Sequence, residues 1–224
     1  LCDPAGRARQ QNFFHEHPHA WLPVGPNRLC IWQYNIIQRQ TMRQFKLLGI
    51  SGSLRKDATN RKLLSEAVRL FDGADYDVAD LNVPLFNADV QESDGIPPSV
   101  QLLADQIAGA DGVLISTPEY NKSISGVLKN ALDWVSRTDG APWRGKPVAI
   151  MSAAAGRAGG ERAQSALRLC LVPFRPRLVP GPELMLASSG HAFDENGYLI
   201  DPLSITALGE LMQGLRSEIE AKLA

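Results

Sequence analysis

Three stretches of the chain gather small, hydroxyl-bearing and amide-bearing residues directly after short apolar runs. The first is Ser51-Gly52-Ser53-Leu54-Arg55-Lys56-Asp57-Ala58-Thr59-Asn60-Arg61. Small residues let backbone come close to a ligand. Ser53, Thr59 and Asn60 offer hydroxyl and amide donors, and Arg55 adds a charged one, with Arg61 one residue further on. A helix start follows, whose first N–H groups have no partner within the helix, and that combination suits a phosphate. The helix dipole contributes only ~0.3–1 kcal/mol, so directed hydrogen bonds must supply most of the affinity. The stretch is not a Walker loop, which would end in Gly-Lys-Ser/Thr, nor Gly-x-Gly-x-x-Gly, because only Gly52 is present. A polar turn ahead of a capped helix is the plain alternative.

The second stretch is Thr117-Pro118-Glu119-Tyr120-Asn121-Lys122-Ser123-Ile124-Ser125-Gly126. A proline-stiffened turn with an aromatic ring and an amide suits one edge of a planar heterocycle, with Ser123 or Ser125 free to cap the next helix. The third, Ser152-Ala153-Ala154-Ala155-Gly156-Arg157-Ala158-Gly159-Gly160-Glu161-Arg162, lets a ring lie against backbone. Together the three stretches describe a site for a phosphorylated planar heterocycle.

The elements that must position these loops alternate. Phe45 to Ser51 is an apolar run that reads as a strand. Asn60 is the expected cap of a helix carrying Leu63, Leu64, Ala67, Val68 and Phe71 at helical spacing. Tyr76 to Leu81 reads as the second strand, followed by a proline-rich loop and a helix on Val100, Leu103, Ala104 and Ile107. Gly112 to Thr117 is the third strand, and Ile124, Val127, Leu128, Ala131, Leu132 and Val135 mark the helix after it. Pro147 to Ser152 is the fourth, followed by a helix on Ala163, Ala166, Leu167, Cys170 and Leu171. Leu178-Val179 or Glu183 to Ala187 supplies the fifth, and Leu208 to Leu223 closes the chain as an amphipathic helix. Strands alternating with helices imply βαβ units: an α/β domain with a parallel sheet covered on both faces. In such sheets ligands sit at the carboxyl ends of the strands, where all three loops lie.

The 224 residues are 44% hydrophobic and 21% charged, which excludes a disordered chain, and the net charge of −1 offers no footprint for nucleic acid or an anionic membrane. The three cysteines, Cys2, Cys30 and Cys170, are too few and too far apart for a disulfide framework or a C-x-x-C motif, which fits a reducing, cytoplasmic setting. Residues 1–41 differ from the rest: they hold no Lys or Ser, and four prolines break any period. The first Met is Met42, directly before the first strand. Residues 1–41 therefore read as a disordered or non-native extension, and residues 42–224 as the domain. His15-Glu16-His17-Pro18-His19 could face a metal on an extended strand, but a solvated tail is the preferred reading, so no metal is expected.

The chain resembles the NADPH-dependent FMN reductase family of flavodoxin-like proteins, which includes bacterial quinone and chromate reductases. The resemblance rests on Gly52-Ser53-Leu54-Arg55 with Thr59-Asn60, on Pro118-Glu119-Tyr120-Asn121, on Gly126-Val127-Leu128-Lys129-Asn130-Ala131-Leu132-Asp133-Trp134, and on Gly156 with Gly159-Gly160. It spans about residues 45–222. It implies a flavodoxin-like, doubly wound five-stranded parallel sheet and non-covalent FMN. By position, Ser53, Arg55, Thr59, Asn60 and Arg61 would take the phosphate. Pro118, Glu119, Tyr120 and Asn121 would contact the isoalloxazine and ribityl, with Ala154, Ala155 and Gly156 covering the other edge. The family often has Pro where this chain has Ser125, and Ser where it has Ala153 to Ala155. Backbone contacts survive such changes, whereas the flavin potential is open to a shift.

The resemblance further implies hydride transfer from NADPH or NADH to the flavin and onward to free flavin or a quinone, by a ping-pong route. Chromate and azo compounds would be additional acceptors. Family members are usually dimers or tetramers, so a homodimer or homotetramer is expected. Because the flavin carries the chemistry, no residue is assigned as acid, base or nucleophile. Leu128, Leu132 and Trp134 read as core or subunit interface, Cys170 as buried and inert, and His191 as a solvated loop residue. Two rival readings remain: a flavodoxin-type electron carrier without NAD(P)H activity, and a flavin-free nucleotide-binding module.

Overall fold

The computed structural model describes residues 44–224. The expected extension over residues 1–41, its histidine cluster and the domain start at Met42 lie outside the described residues.

Strand β1 (Phe45–Ser51) is flanked by β2 (Ala74–Val78) on one side and β3 (Gly112–Thr117) on the other, and β4 (Pro147–Ala153) follows β3. Every pairing is parallel. Successive side chains of a strand point to opposite faces, and that alternation sorts the core into two layers. Leu48, Ile50, Val113, Ile115, Val148 and Ile150 pack one way, against α3 (Pro98–Gly109), α4 (Gly126–Val135) and α5 (Glu161–Leu171). Leu47, Leu114, Ala149 and Met151 pack the other way, against α1 (Thr59–Phe71) and α6 (Pro202–Leu223). Strands β3 and β4 are buried at every position, as doubly covered strands must be. The doubly wound α/β reading of the sequence is therefore correct.

The structure departs from the sequence reading at four places. The two candidates for the fifth strand both form, as β5 (Arg177–Leu178) and β6 (Leu184–Leu186), each paired with β4. Pro180 and Pro182 lie between them and cannot donate to a ladder, so the fifth position is split and the sheet has six strands. Strand β2 begins at Ala74 rather than Tyr76, because its register runs Phe45 with Ala74 to Gly49 with Val78. The apolar signal at Ala79 and Leu81 marks buried residues after the strand. A short helix α2 (Ala88–Asp94), capped by Asn87, occupies the expected loop. It buries no residue, so no apolar period announces it. Finally, Ala58 rather than Asn60 is the N-cap of α1.

Two side chains of α4 pin the loop before α2. Trp134 Nε1 donates to the Pro84 carbonyl at 2.7 Å, and Asn130 donates to the same oxygen at 2.9 Å while accepting from the Phe86 N–H at 2.8 Å. Trp134, Leu128 and Leu132 are core residues. Cys170 is half-buried against the core rather than fully enclosed, and His191 is exposed.

Candidate active site

The strand order reverses at β1, whose next strand lies on one side and β3 on the other, so a crevice must open beyond the carboxyl ends of β1 and β3. A cavity of ≈ 630 Å³ lies there, within the roughly 300–1,000 Å³ typical of cofactor sites. Its lining comes from the three loops identified in the sequence, from Lys62 just after the first of them, and from a fourth segment, Ser189 and Gly190.

The loop after β1 is tied to β3 by the Gly52 N–H, which donates to the Ser116 carbonyl at 2.8 Å. A Cβ on Gly52 would come within 2.9 Å of Pro118 Cδ, so a side chain there would separate the first two loops. Ser53 is buried at the cavity wall, and its Oγ accepts from the Arg55 N–H at 3.4 Å. Helix α1 then begins with no side chain capping its first turn, which leaves its leading amides for a ligand. Thr59 Oγ1 lies 3.0 Å from Ser189 Oγ, placing two hydroxyls together at that terminus.

Asn60 behaves differently from the sequence expectation. Its Oδ1 accepts from Ser116 Oγ at 2.8 Å and from the Ala153 N–H at 3.1 Å, and its Nδ2 donates to the Ala153 carbonyl at 2.9 Å. These three bonds join the ends of β3 and β4 and leave one Nδ2 hydrogen over, and Asn60 lines the cavity. Arg61 is absent from the lining. It lies beside Tyr76, whose phenol burial pushes up to about 12, an effect the Arg61 charge opposes.

In the loop after β3, Pro118, Glu119 and Tyr120 line the cavity, with Tyr120 more than half exposed at its lip. Asn121 does not line it. Asn121 and Lys122, at φ +49° and +64°, form the tip of a turn closed by two 3.0 Å bonds between Tyr120 and Ser123. The Glu119 carboxylate accepts from the Arg162 N–H at 3.1 Å and the Ala163 N–H at 3.4 Å, capping α5 and tying the second loop to the third. Ser125 caps α4.

The loop after β4 contributes Ala153 to Gly156 and Ala158 to Gly160. Ala154 donates to the Leu186 carbonyl at 3.0 Å and accepts from the Ser189 N–H at 3.1 Å, so β6 and the turn after it run alongside this loop. The lining also includes Asp57, Ala58, Lys62, Ser189 and Gly190, none of which sequence reasoning assigned. Lys62 lies one turn into α1, a spacing that could have suggested it. Ser189 carries no local motif.

The residues fit a phosphorylated planar ring. An uncapped helix start with the hydroxyls of Ser53, Thr59 and Ser189 and the guanidinium of Arg55 suits a phosphate. The small residues Ala154, Ala155, Gly156 and Ala158 line the cavity and leave room for a flat ring. A model of the NADPH-dependent FMN reductases matches residues 45–191. The chain belongs to that family.

This FMN reductase is 44% identical over 173 residues to an NAD(P)H-dependent FMN reductase of Pseudomonas aeruginosa, covering 76% of this chain and 93% of the relative. It is 37% identical over 185 residues to a quinone reductase of Escherichia coli, covering 77% and 98%. Among solved structures it is similar to FerB, a flavoenzyme NAD(P)H:acceptor oxidoreductase of Paracoccus denitrificans, with TM-score 0.72, 31% identity and coverage of 79% and 98%. It is an NAD(P)H-dependent oxidoreductase that uses FMN. No group of three or more metal-ligating side chains occurs among the described residues, and no described helix is long and apolar enough to cross a membrane.

Proposed function

We propose that the cavity holds FMN with its phosphate at the start of α1, and that the enzyme passes electrons from NAD(P)H to quinones or free flavin. The observation that carries this reading is convergence. The uncapped end of α1, three hydroxyls, Arg55 and a glycine floor all line one cavity of ≈ 630 Å³. When bound, FMN supplies the hydride and electron chemistry. The chain's part is to bind, orient and shield. The amides of Thr59 and Asn60 with Ser53 Oγ and Thr59 Oγ1 hold the phosphate, and Arg55 neutralises it. Pro118, Glu119 and Tyr120 take one edge of the ring through their backbone, and Ala154 to Gly160 take the other. Arg61 and Asn121 take no part in this arrangement.

The acceptor class follows the quinone and flavin reductases among the relatives, with chromate and azo compounds as further candidates. A homodimer or homotetramer is part of this proposal and follows from the family resemblance. The free Cys170 thiol fits the cytoplasm.

The test is the visible spectrum after adding FMN, followed by NADPH without oxygen. Flavin bands that bleach and are restored by a quinone are expected. Bands that persist would leave an electron carrier, and no flavin uptake would leave a nucleotide-binding module.

A further inference from the structure

Beneath the glycine floor runs a buried relay with a fixed direction. Gln164 and Ser152 are both 0% exposed. Gln164 Nε2 donates to the Leu184 carbonyl at 2.7 Å and to Ser152 Oγ at 2.9 Å, which uses both of its hydrogens. Ser152 Oγ is thereby an acceptor from Gln164, and its single proton goes to the Gly159 carbonyl at 2.7 Å. In a trans peptide the C=O and the following N–H point in opposite directions. With the Gly159 carbonyl drawn down to Ser152, the Gly160 N–H points away from Ser152, and Gly160 lines the cavity. No acceptor for that N–H occurs among the described residues.

Two further observations point the same way. Gly159 and Gly160 have φ +61° and +98°, and a Cβ on Gly160 would come within 2.7 Å of Ser152 Cβ. The peptide is pressed onto Ser152 as only glycine allows. Gln164 Oε1 is also buried without a hydrogen-bond partner. Leucine would fill the same space without an orphaned oxygen, so packing alone does not account for an amide here.

We infer that Gln164, acting through Ser152, is a positioning residue that turns the Gly160 N–H into the cavity as a hydrogen-bond donor to the bound ring. The inference rests on the cavity being the FMN site. A donor held against the ring favours the redox state with more negative charge on it, which is the reduced one. Gln164 and Ser152 therefore raise the flavin potential without touching the flavin.

The test compares Gln164→Met, Ser152→Ala and the double variant by anaerobic spectroelectrochemistry, with FMN titration and thermal melting alongside. Oxidised FMN affinity should change less than threefold in each. The reduced form should bind about tenfold more weakly, equal to a fall of about 30 mV in a two-electron potential. Because both residues act through one bond to the Gly159 carbonyl, the double variant should shift no further than Ser152→Ala. Unchanged potentials in folded, FMN-loaded variants would overturn the inference, as would additive shifts. A measurement without mutation covers variants that do not fold: hydrogen exchange at the Gly160 amide of the wild type should slow at least tenfold on adding FMN. Unaltered exchange with FMN bound overturns the inference and leaves the FMN reading standing. A wild type that takes up no FMN overturns that reading, and the inference falls with it.

Discussion

The side chain of Asn60 and the backbone of Ala153 form a reciprocal pair, with Nδ2 donating to the Ala153 carbonyl at 2.9 Å and Oδ1 accepting its N–H at 3.1 Å. The same Oδ1 receives Ser116 Oγ, so one amide at the start of α1 holds the ends of β3 and β4 together. Removing it leaves a buried N–H and C=O without partners, each costing about 1–3 kcal/mol. Asn60→Ala should lower stability by about 2–4 kcal/mol in urea melts and weaken FMN binding, since two of the cavity's loops start at those strand ends. A loss below about 0.5 kcal/mol would contradict this account.

Arg55 and Arg61 lie at either end of one sequence motif, but only Arg55 lines the cavity. Arg55 is exposed, so screening trims its contribution. Arg55→Ala should weaken FMN binding about three- to tenfold, with the loss shrinking as salt rises. Arg61→Ala should leave FMN affinity within twofold of wild type. Fluorescence titration of both at low and high salt decides, and equal losses would reject the placement.

Gly159 sits at φ +61°, and a Cβ there would overlap the Met185 carbonyl. Neither the backbone angle nor the neighbouring backbone can yield cheaply, so Gly159→Ala should displace the loop from β6. The expected result is a loss of about 1–3 kcal/mol together with most FMN binding. Gly209→Ala, which lies in α6 outside the cavity lining and meets nothing within 4 Å, is the matched control and should bind FMN normally.

Lys146 is 4% exposed and donates to the carbonyls of Ala108 and Ala110 at the end of α3. Burial lowers its pKa from 10.5 to about 8. Between those values the unfolded chain holds a proton that the folded chain has released, so stability rises with pH across that window; below about 8 the cost of burying the charge is present in full. The gain is on the order of 3 kcal/mol at most, reduced by the two carbonyl bonds, which favour the charged form. Tyr76 acts oppositely above pH 10: with its pKa pushed up to about 12 the folded state keeps a proton the unfolded chain loses, and stability falls. Urea midpoints from pH 7 to 9.5 should therefore climb in the wild type and stay flat in Lys146→Met. Parallel slopes would show that Lys146 does not titrate in this range.

Local pattern alone determined the sheet-forming runs Phe45–Ser51, Gly112–Thr117 and Pro147–Ser152, the last extended to Ala153 in the structure, and the loops after them, because doubly covered strands must be apolar throughout and ligands must sit beyond their carboxyl ends. It also determined the residue types of a phosphate site, since small and hydroxyl-bearing side chains before a helix serve that purpose in any fold. What only the tertiary structure decided is which of those side chains are free. Asn60 reads as a donor to a ligand until β4 arrives to claim it, and Arg61 reads as its equal until the turn of the helix carries it toward Tyr76. Ser189 joins Thr59 across 130 residues, and the Gln164 relay exists only once β6 brings the Leu184 carbonyl within reach. A hydrogen bond depends on distance and direction between two groups, and sequence states only that each group exists.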